Sequence, residues 1–163
     1  MYLMLISGIA CFAIGCLFFW VFRFVSNIVR SELNAQKIYF PERGSPEFDS
    51  TVYPDLQQYA GQLVDSPKKA RAYADGYIGR HLKKIANGRT YAEISTASMK
   101  SPDDKKLQQQ KQVLFQGEAL RGLLLMGGYG FGTIGRLAGI VCYTTFTMSG
   151  FLVLLYILFS IEM

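Results

Sequence analysis

Between Glu118 and Glu162 the sequence contains no aspartate and no glutamate. The gap matters because Gly130-Phe131-Gly132-Thr133-Ile134-Gly135 spells G-x-G-x-x-G. A dinucleotide site of that form needs a strand before the glycines, a helix after them, and an acid about 20 residues on to hold the ribose. The acid is missing and the flanks are apolar over membrane length, so these glycines serve another purpose. Histidine is almost as scarce. The one histidine, His81, lies six positions from Asp75, which does not place the two on one helix face, and no cysteine shares its polar segment. No pair of carboxylates has a local relation suited to acid–base work.

Cysteine occurs three times, at Cys11, Cys16 and Cys142, always within apolar sequence and never as C-x-x-C. These read as small packing residues rather than a disulfide framework or a metal set. The first apolar run also lacks the preceding basic residue and the following A-x-A of a cleaved signal peptide. Ala13-Ile14-Gly15-Cys16 is a poor lipoprotein site, so Met1–Val21 reads as an uncleaved anchor. Together the absences lead to an expectation of no catalytic residues, no cofactor and no metal: the chain is not expected to be an enzyme.

What is abundant is apolar sequence. Half of the 163 residues are hydrophobic, gathered in Met1–Val21 and Gly122–Ile161 on either side of a polar middle. Each block reaches the roughly 20 residues that cross a ~30 Å hydrocarbon core. The expected fold class is an all-α membrane protein. A transmembrane helix covers 1–22, and a basic helical loop covers 23–121 with an irregular linker near 37–53. A glycine-rich interfacial or membrane-embedded segment covers 122–136, and a C-terminal transmembrane helix covers 137–161. As a single helix Gly122–Ile161 would run ~60 Å, which leaves two geometries. Either the span starts at Leu137 with Arg136 near the interface, the preferred reading, or the block folds into a tight hairpin near Arg136 and adds a third span.

Charge sets the expected orientation. Of 17 lysines and arginines, all but Arg136 lie from Arg23 to Arg121, and Arg23, Arg30, Lys111 and Arg121 flank the apolar blocks. Basic residues near helix ends stay cytoplasmic. The loop is therefore expected inside and the N-terminus outside, in a bacterial inner membrane.

Helix signals are clear in the loop. Arg23–Gln36 keeps helical apolar spacing and extends the first helix. Pro54 favours a short helix start, and Ser66-Pro67 opens a longer helix. Ala70, Tyr73, Ala74, Tyr77, Ile78, Leu82 and Ile85 form its apolar face, and Asn87-Gly88 stops it. Thr90-Tyr91-Ala92-Glu93 has the form of a capping box. Ser101-Pro102-Asp103-Asp104 repeats a start signal, with acids placed for the first turn.

Three groups of residues carry the functional expectations. Gly128, Gly132, Gly135 and Gly139 recur at four, three and four, which on a helix forms one face for close backbone approach. Ser7, Cys11 and Gly15 give the first helix a weaker version of it. This face serves either the chain's own two helices or a partner subunit or second copy. Arg136 is the odd residue in the second block, where a charge at the bilayer centre costs at least ~2.5–3.5 kcal/mol. Tyr129 and Tyr143, seven positions to either side, are placed to shield it. Finally Lys68, Lys69, Arg71, Arg80, Lys83, Lys84 and Arg89 have Asp75 as their only local counter-charge and suit anionic headgroups or an acidic partner. Nucleic acid is not expected, because stacking platforms and a recognised motif are lacking. The expected function is a non-catalytic structural or assembly subunit of a larger transport or secretion complex in the inner membrane. It would dock by the glycine face and the basic loop. The alternative is a small oligomeric channel or carrier with Arg136 facing an anion pathway.

Overall fold

The computed structural model describes residues 2–161. The fold is helical throughout; among the described residues no strand forms, and Tyr39 and Leu63 make a lone antiparallel bridge. Six α-helices follow in order: α1 Tyr2–Gln36, α2 Pro67–Arg71, α3 Gly79–Ile85, α4 Tyr91–Lys100, α5 Lys105–Leu123 and α6 Phe131–Ile161. Short 3-10 turns occupy Pro46–Phe48 and Pro54–Tyr59. Two seven-residue π-helical stretches, Ala72–Ile78 and Leu124–Gly130, join α2 to α3 and α5 to α6. The chain divides into two compact units, Met1–Ile28 with Phe131–Met163, and Val29–Gly130.

α1 and the continuous stretch Lys105–Ile161 are long and apolar enough to cross a membrane. Only 11% and 6% of their most apolar windows are buried within the chain. A core helix of a water-soluble domain would hide most of that surface, whereas these helices leave Leu3, Ile6, Phe12, Leu137, Ile140 and Phe151 more than half exposed. α6 runs through Arg136 unbroken, so the sharp turn of the three-span geometry is not there.

The first unit is an antiparallel pair built from α1 as far as Ile28 and from α6. Its buried positions are small: Gly8 and Gly15 on α1, and Gly135, Ala138, Cys142 and Ser149 on α6. A repeat of seven is 3.5 residues per turn, the period that keeps two slightly supercoiled helices facing along their length. In lipid, where apolar burial gains nothing, a contact of this kind would rest on close van der Waals packing, which small side chains permit.

The second unit packs around aromatic rings. Phe48 is fully buried and Phe40 and Tyr53 nearly so. Phe48 lies 5.5 Å from the Tyr53 ring, 5.8 Å from Tyr77 and 6.3 Å from Phe40 between centroids. Tyr73 meets Phe40 edge-on at 5.0 Å. The Tyr73 and Tyr77 rings thus turn the segment around Phe40 and Phe48 into one wall of a core.

The expected helix over residues 66–86 forms, with a π-helical centre. Its buried side chains include Ala70, Ala74, Ile78 and Leu82, each four apart. In a regular α-helix a four-residue step overshoots one turn by about 40°, so three steps would swing Leu82 well off the Ala70 face. The wider i→i+5 turn over Ala72–Ile78 removes that drift and holds the four on one core. Asn87 (φ 50°) and Gly88 (φ 80°) then reverse the chain, and Gly88 N–H bonds to Lys83 O at 2.8 Å. The Thr90 capping box forms in both directions. One start signal is displaced. The N-cap of α5 is Asp104 itself, accepting from Leu107 N at 3.0 Å, so the acids precede the first turn rather than fill it. α4 packs on α5 over Ile94, Ser98 and Leu114.

Candidate functional site

The glycines are engaged by this chain's own side chains. A β-carbon added to Gly15 would lie 2.6 Å from the Phe146 ring, and one on Gly8 would lie 3.2 Å from Val153. On the other helix, a β-carbon on Gly139 would meet Phe22 at 3.1 Å, and one on Gly135 would meet Val25 at 3.1 Å. From Gly8 to Gly15 to Phe22 the α1 partner rises by seven while the α6 partner falls by seven. Ser149 Oγ donates to the Gly8 carbonyl at 2.8 Å, deep in this seam.

Gly128 does not belong to that contact. It sits in the π-helical stretch Leu124–Gly130, within the second unit, where its β-carbon would meet Ala70 at 2.8 Å and Leu33 at 3.2 Å. The widened turn there breaks the regular 100° step on which the single four-three-four face depends. Gly132 is half-buried. On α1, Ser7 and Cys11 are only half-buried, because the seam keeps a seven-residue repeat through Gly8 and Gly15 rather than the four-residue steps Ser7–Cys11–Gly15. Cys142 and Ser149, which extend the glycine face in sequence, lie in the seam; Gly8 and Phe22 are additional, and the sequence signal for them is Gly8-x6-Gly15 read with Cys142-x6-Ser149.

Arg136 is exposed on α6, one residue past the seam glycine Gly135. Its expected partner Tyr129 is taken by Arg71: Arg71 Nη1 donates to the Tyr129 hydroxyl at 2.9 Å, and the guanidinium carbon stands 4.8 Å from the ring centroid. Tyr143 is 71% exposed. Because Phe22 opposes Gly139 and Val25 opposes Gly135, Arg136 stands within about 3 Å of the level of Arg23 along the helix axes. Among the described residues these are the only charges in the first unit.

The basic loop residues divide into two sets. Lys69 pairs with Asp65 at 3.0 Å and also donates to Leu63 O. Arg71 lies 3.8 Å from Asp75. Arg80 grips Asp55 with both terminal nitrogens, at 2.7 and 2.8 Å, and donates to Val52 O. Asp55 and Asp65 were not read as counter-charges: Asp55 is 25 positions from Arg80 in sequence. Arg121 closes a related network with Asp75 at 3.0 Å and Glu118 at 3.2 Å. Lys68, Lys83, Lys84 and Arg89 are exposed, and among the described residues no ion pair reaches them. Lys83 and Arg89 also line a cleft of ≈ 340 Å³ beside Arg121 and Leu114.

Titration follows from these contacts. The Arg80 hydrogen bonds hold the Asp55 carboxyl below the usual 3.8. Burial pushes the Tyr77 hydroxyl up to about 12, aided by the neighbouring Tyr73, Tyr53 and Glu47. His81 is exposed, with its ring 6.2 Å from that of Tyr77. Because Asp55 is depressed in the folded chain, its pair contributes in full above the ordinary carboxylate value and is lost as pH falls through the lowered one. Stability is therefore expected to decline below about pH 4. Asp55→Asn should remove part of that decline, less than about 1 kcal/mol for a pair this exposed. Unfolding midpoints measured against pH check it; a parallel curve for the variant would refute it.

Among the described residues no group of three or more histidine, cysteine or acidic side chains could hold a metal ion. No protein-family model, curated protein or solved structure matches the chain.

Proposed function

We propose that this chain is a non-catalytic, two-span membrane protein that serves as a structural or assembly subunit of a larger inner-membrane complex of transport or secretion type. The observation that carries the reading is the outward apolar surface of the helix pair: the pair buries small residues and exposes large ones. The lengths agree with it. From Tyr2 to Phe22 α1 rises ~31 Å, and from Leu137 to Ile161 α6 rises ~37 Å, against a hydrocarbon core of ~30 Å. Arg23 and Arg136 bound this apolar stretch at one end. Trp20 and Tyr143, both well exposed, lie within about two turns of them on the apolar side, and Tyr2 and Tyr156 lie toward the other end. Tryptophan and tyrosine favour such interfacial levels.

On this reading Arg136 carries no mid-membrane cost, because it meets headgroups and water. Arg23, Arg30, Lys111 and Arg121, which flank the apolar helices, support a cytoplasmic side for Val29–Gly130 and an external N-terminus. The glycine seam closes the pair itself, so docking falls to the outer helix faces and to the basic loop. Lys68, Lys83, Lys84 and Arg89 are the loop cations left for anionic headgroups or an acidic partner.

Two measurements test this. Single cysteines at Tyr2 and Ser101, in a background where Cys11, Cys16 and Cys142 are serine, are expected to label from outside only at Tyr2. Native-size electrophoresis from mild detergent is expected to give a band holding other proteins. Labelling of Ser101 from outside reverses the topology. A discrete homo-oligomer whose anion flux depends on Arg136 replaces the subunit reading with a channel.

A further inference from the structure

We infer that Arg23 and Arg136 together clasp one phosphate group of an anionic phospholipid at the membrane surface. The inference rests on the membrane reading above but on none of its claims about partners. The register across the seam sets the two residues within about 3 Å of one level along the axis, since Phe22 lies against Gly139 and Val25 against Gly135. Arg23 follows Phe22 and Arg136 follows Gly135. Each single step turns about 100° from the seam. In an antiparallel pair the two chains wind in opposite senses when viewed down the common axis. One step along each therefore leads to the same flank.

With glycine at the contact the helix axes approach about 8 Å, so two arginine side chains on one flank share a small volume. Both are exposed, and among the described residues neither makes an ion pair. Two guanidinium groups held this way repel each other until an anion stands between them. A phosphodiester matches the need: it is negative, and its oxygens fit the fork of a guanidinium. Helical spacing brings two exposed rings to the same flank on the apolar side, Phe19 four residues before Arg23 and Tyr143 seven after Arg136. They offer an apolar surface for the acyl chains of the lipid whose headgroup the arginines hold. A free phosphate would use the arginines and ignore the rings.

The test uses the full chain in nanodiscs that mix phosphatidylglycerol and phosphatidylcholine. Native mass spectrometry after release counts the lipid that stays bound. Wild type is expected to retain phosphatidylglycerol about tenfold over phosphatidylcholine, because both carry the phosphodiester but the quaternary ammonium of phosphatidylcholine brings a positive charge beside the two guanidinium groups. Arg23→Gln and Arg136→Gln should each abolish that preference, and the double variant should be no worse than either, because the pair forms one site. Replacing both by lysine keeps the charge, loses the fork and should retain part of the preference. Lys105→Gln with Lys106→Gln, exposed in the loop and outside the basic set, should leave it unchanged. An unchanged preference in both glutamine variants overturns the inference. So does loss of the preference in the lysine control, or displacement of the lipid by millimolar inorganic phosphate. A protein that leaves with Arg136→Gln in place of lipid overturns it too, and assigns the arginine to a partner's acid. Retained lipid preference in a chain that forms no hetero-complex separates failure of the subunit reading from failure of this one.

Discussion

Phe48→Ala is expected to unfold the second unit, or nearly so. Phe48 has no exposed surface and touches three other rings, so alanine leaves a hole ringed by side chains that cannot all move in. Removing a buried phenylalanine costs about 3–5 kcal/mol, against a domain stability of roughly 5–15 kcal/mol. Gln57 Nε2 also bonds to the Phe48 carbonyl at 3.0 Å, so a shift of the turn at Pro46–Phe48 disturbs the next one. Amide exchange across residues 29–130 should accelerate by two or more orders of magnitude. Met99→Ala, at a side chain 68% exposed, should leave exchange there almost unchanged. Slow exchange in the Phe48 variant would mean that the aromatic cluster is not the core.

The second large effect belongs to Gly15. A β-carbon there collides with the Phe146 ring at 2.6 Å and meets Thr145 Oγ1 at 3.0 Å. Thr145 is already turned onto its own helix, donating to Val141 O and Cys142 O. Gly15→Leu is expected to pry the pair apart and lower stability in detergent by about 1–3 kcal/mol or more. Gly150 provides the contrast, since its β-carbon meets nothing within 4 Å. Alanine at Gly150 should be neutral or gain up to ~1 kcal/mol from helix propensity, while alanine at Gly15 should lose stability despite the same propensity gain. The essential outcome is a loss of stability at Gly15 beside none at Gly150; a stabilised Gly15→Ala would dissolve the seam as described. Thermal unfolding in one detergent reads both.

How far the sequence carried depends on the range of each interaction. The Thr90 capping box and the Asn87-Gly88 stop were legible because donor, acceptor and backbone turn lie within four residues. The Ser101–Asp104 start was misplaced by a few residues because three residue types there can all cap, and the choice is made by the packing of α4 on α5. Gln108 and Gln110 show the same limit. They cap the carbonyls of Ser98 and Ile85, at distances no local pattern encodes. Arg80–Asp55 was invisible for that reason, and so was the aromatic cluster, whose rings come from both the linker and the π-helical stretch. The glycine face was half legible. Small residues at helical spacing announced close packing, but a regular helix was assumed through Leu124–Gly130, and the π turn there sends Gly128 to a different neighbour.

Leu33 and Gly128 stand side by side in the second unit, near the points where α1 and α6 leave it. Once that unit has folded, the two apolar helices no longer meet as independent segments. Their meeting becomes intramolecular, at an effective concentration in the millimolar range for short connections. A seam of glycine, alanine, cysteine and serine then needs less intrinsic affinity than two free helices would require. The polar middle of the chain thus sets the affinity of a contact to which it contributes no atom, and damage to its aromatic core should be felt as dissociation of the helices.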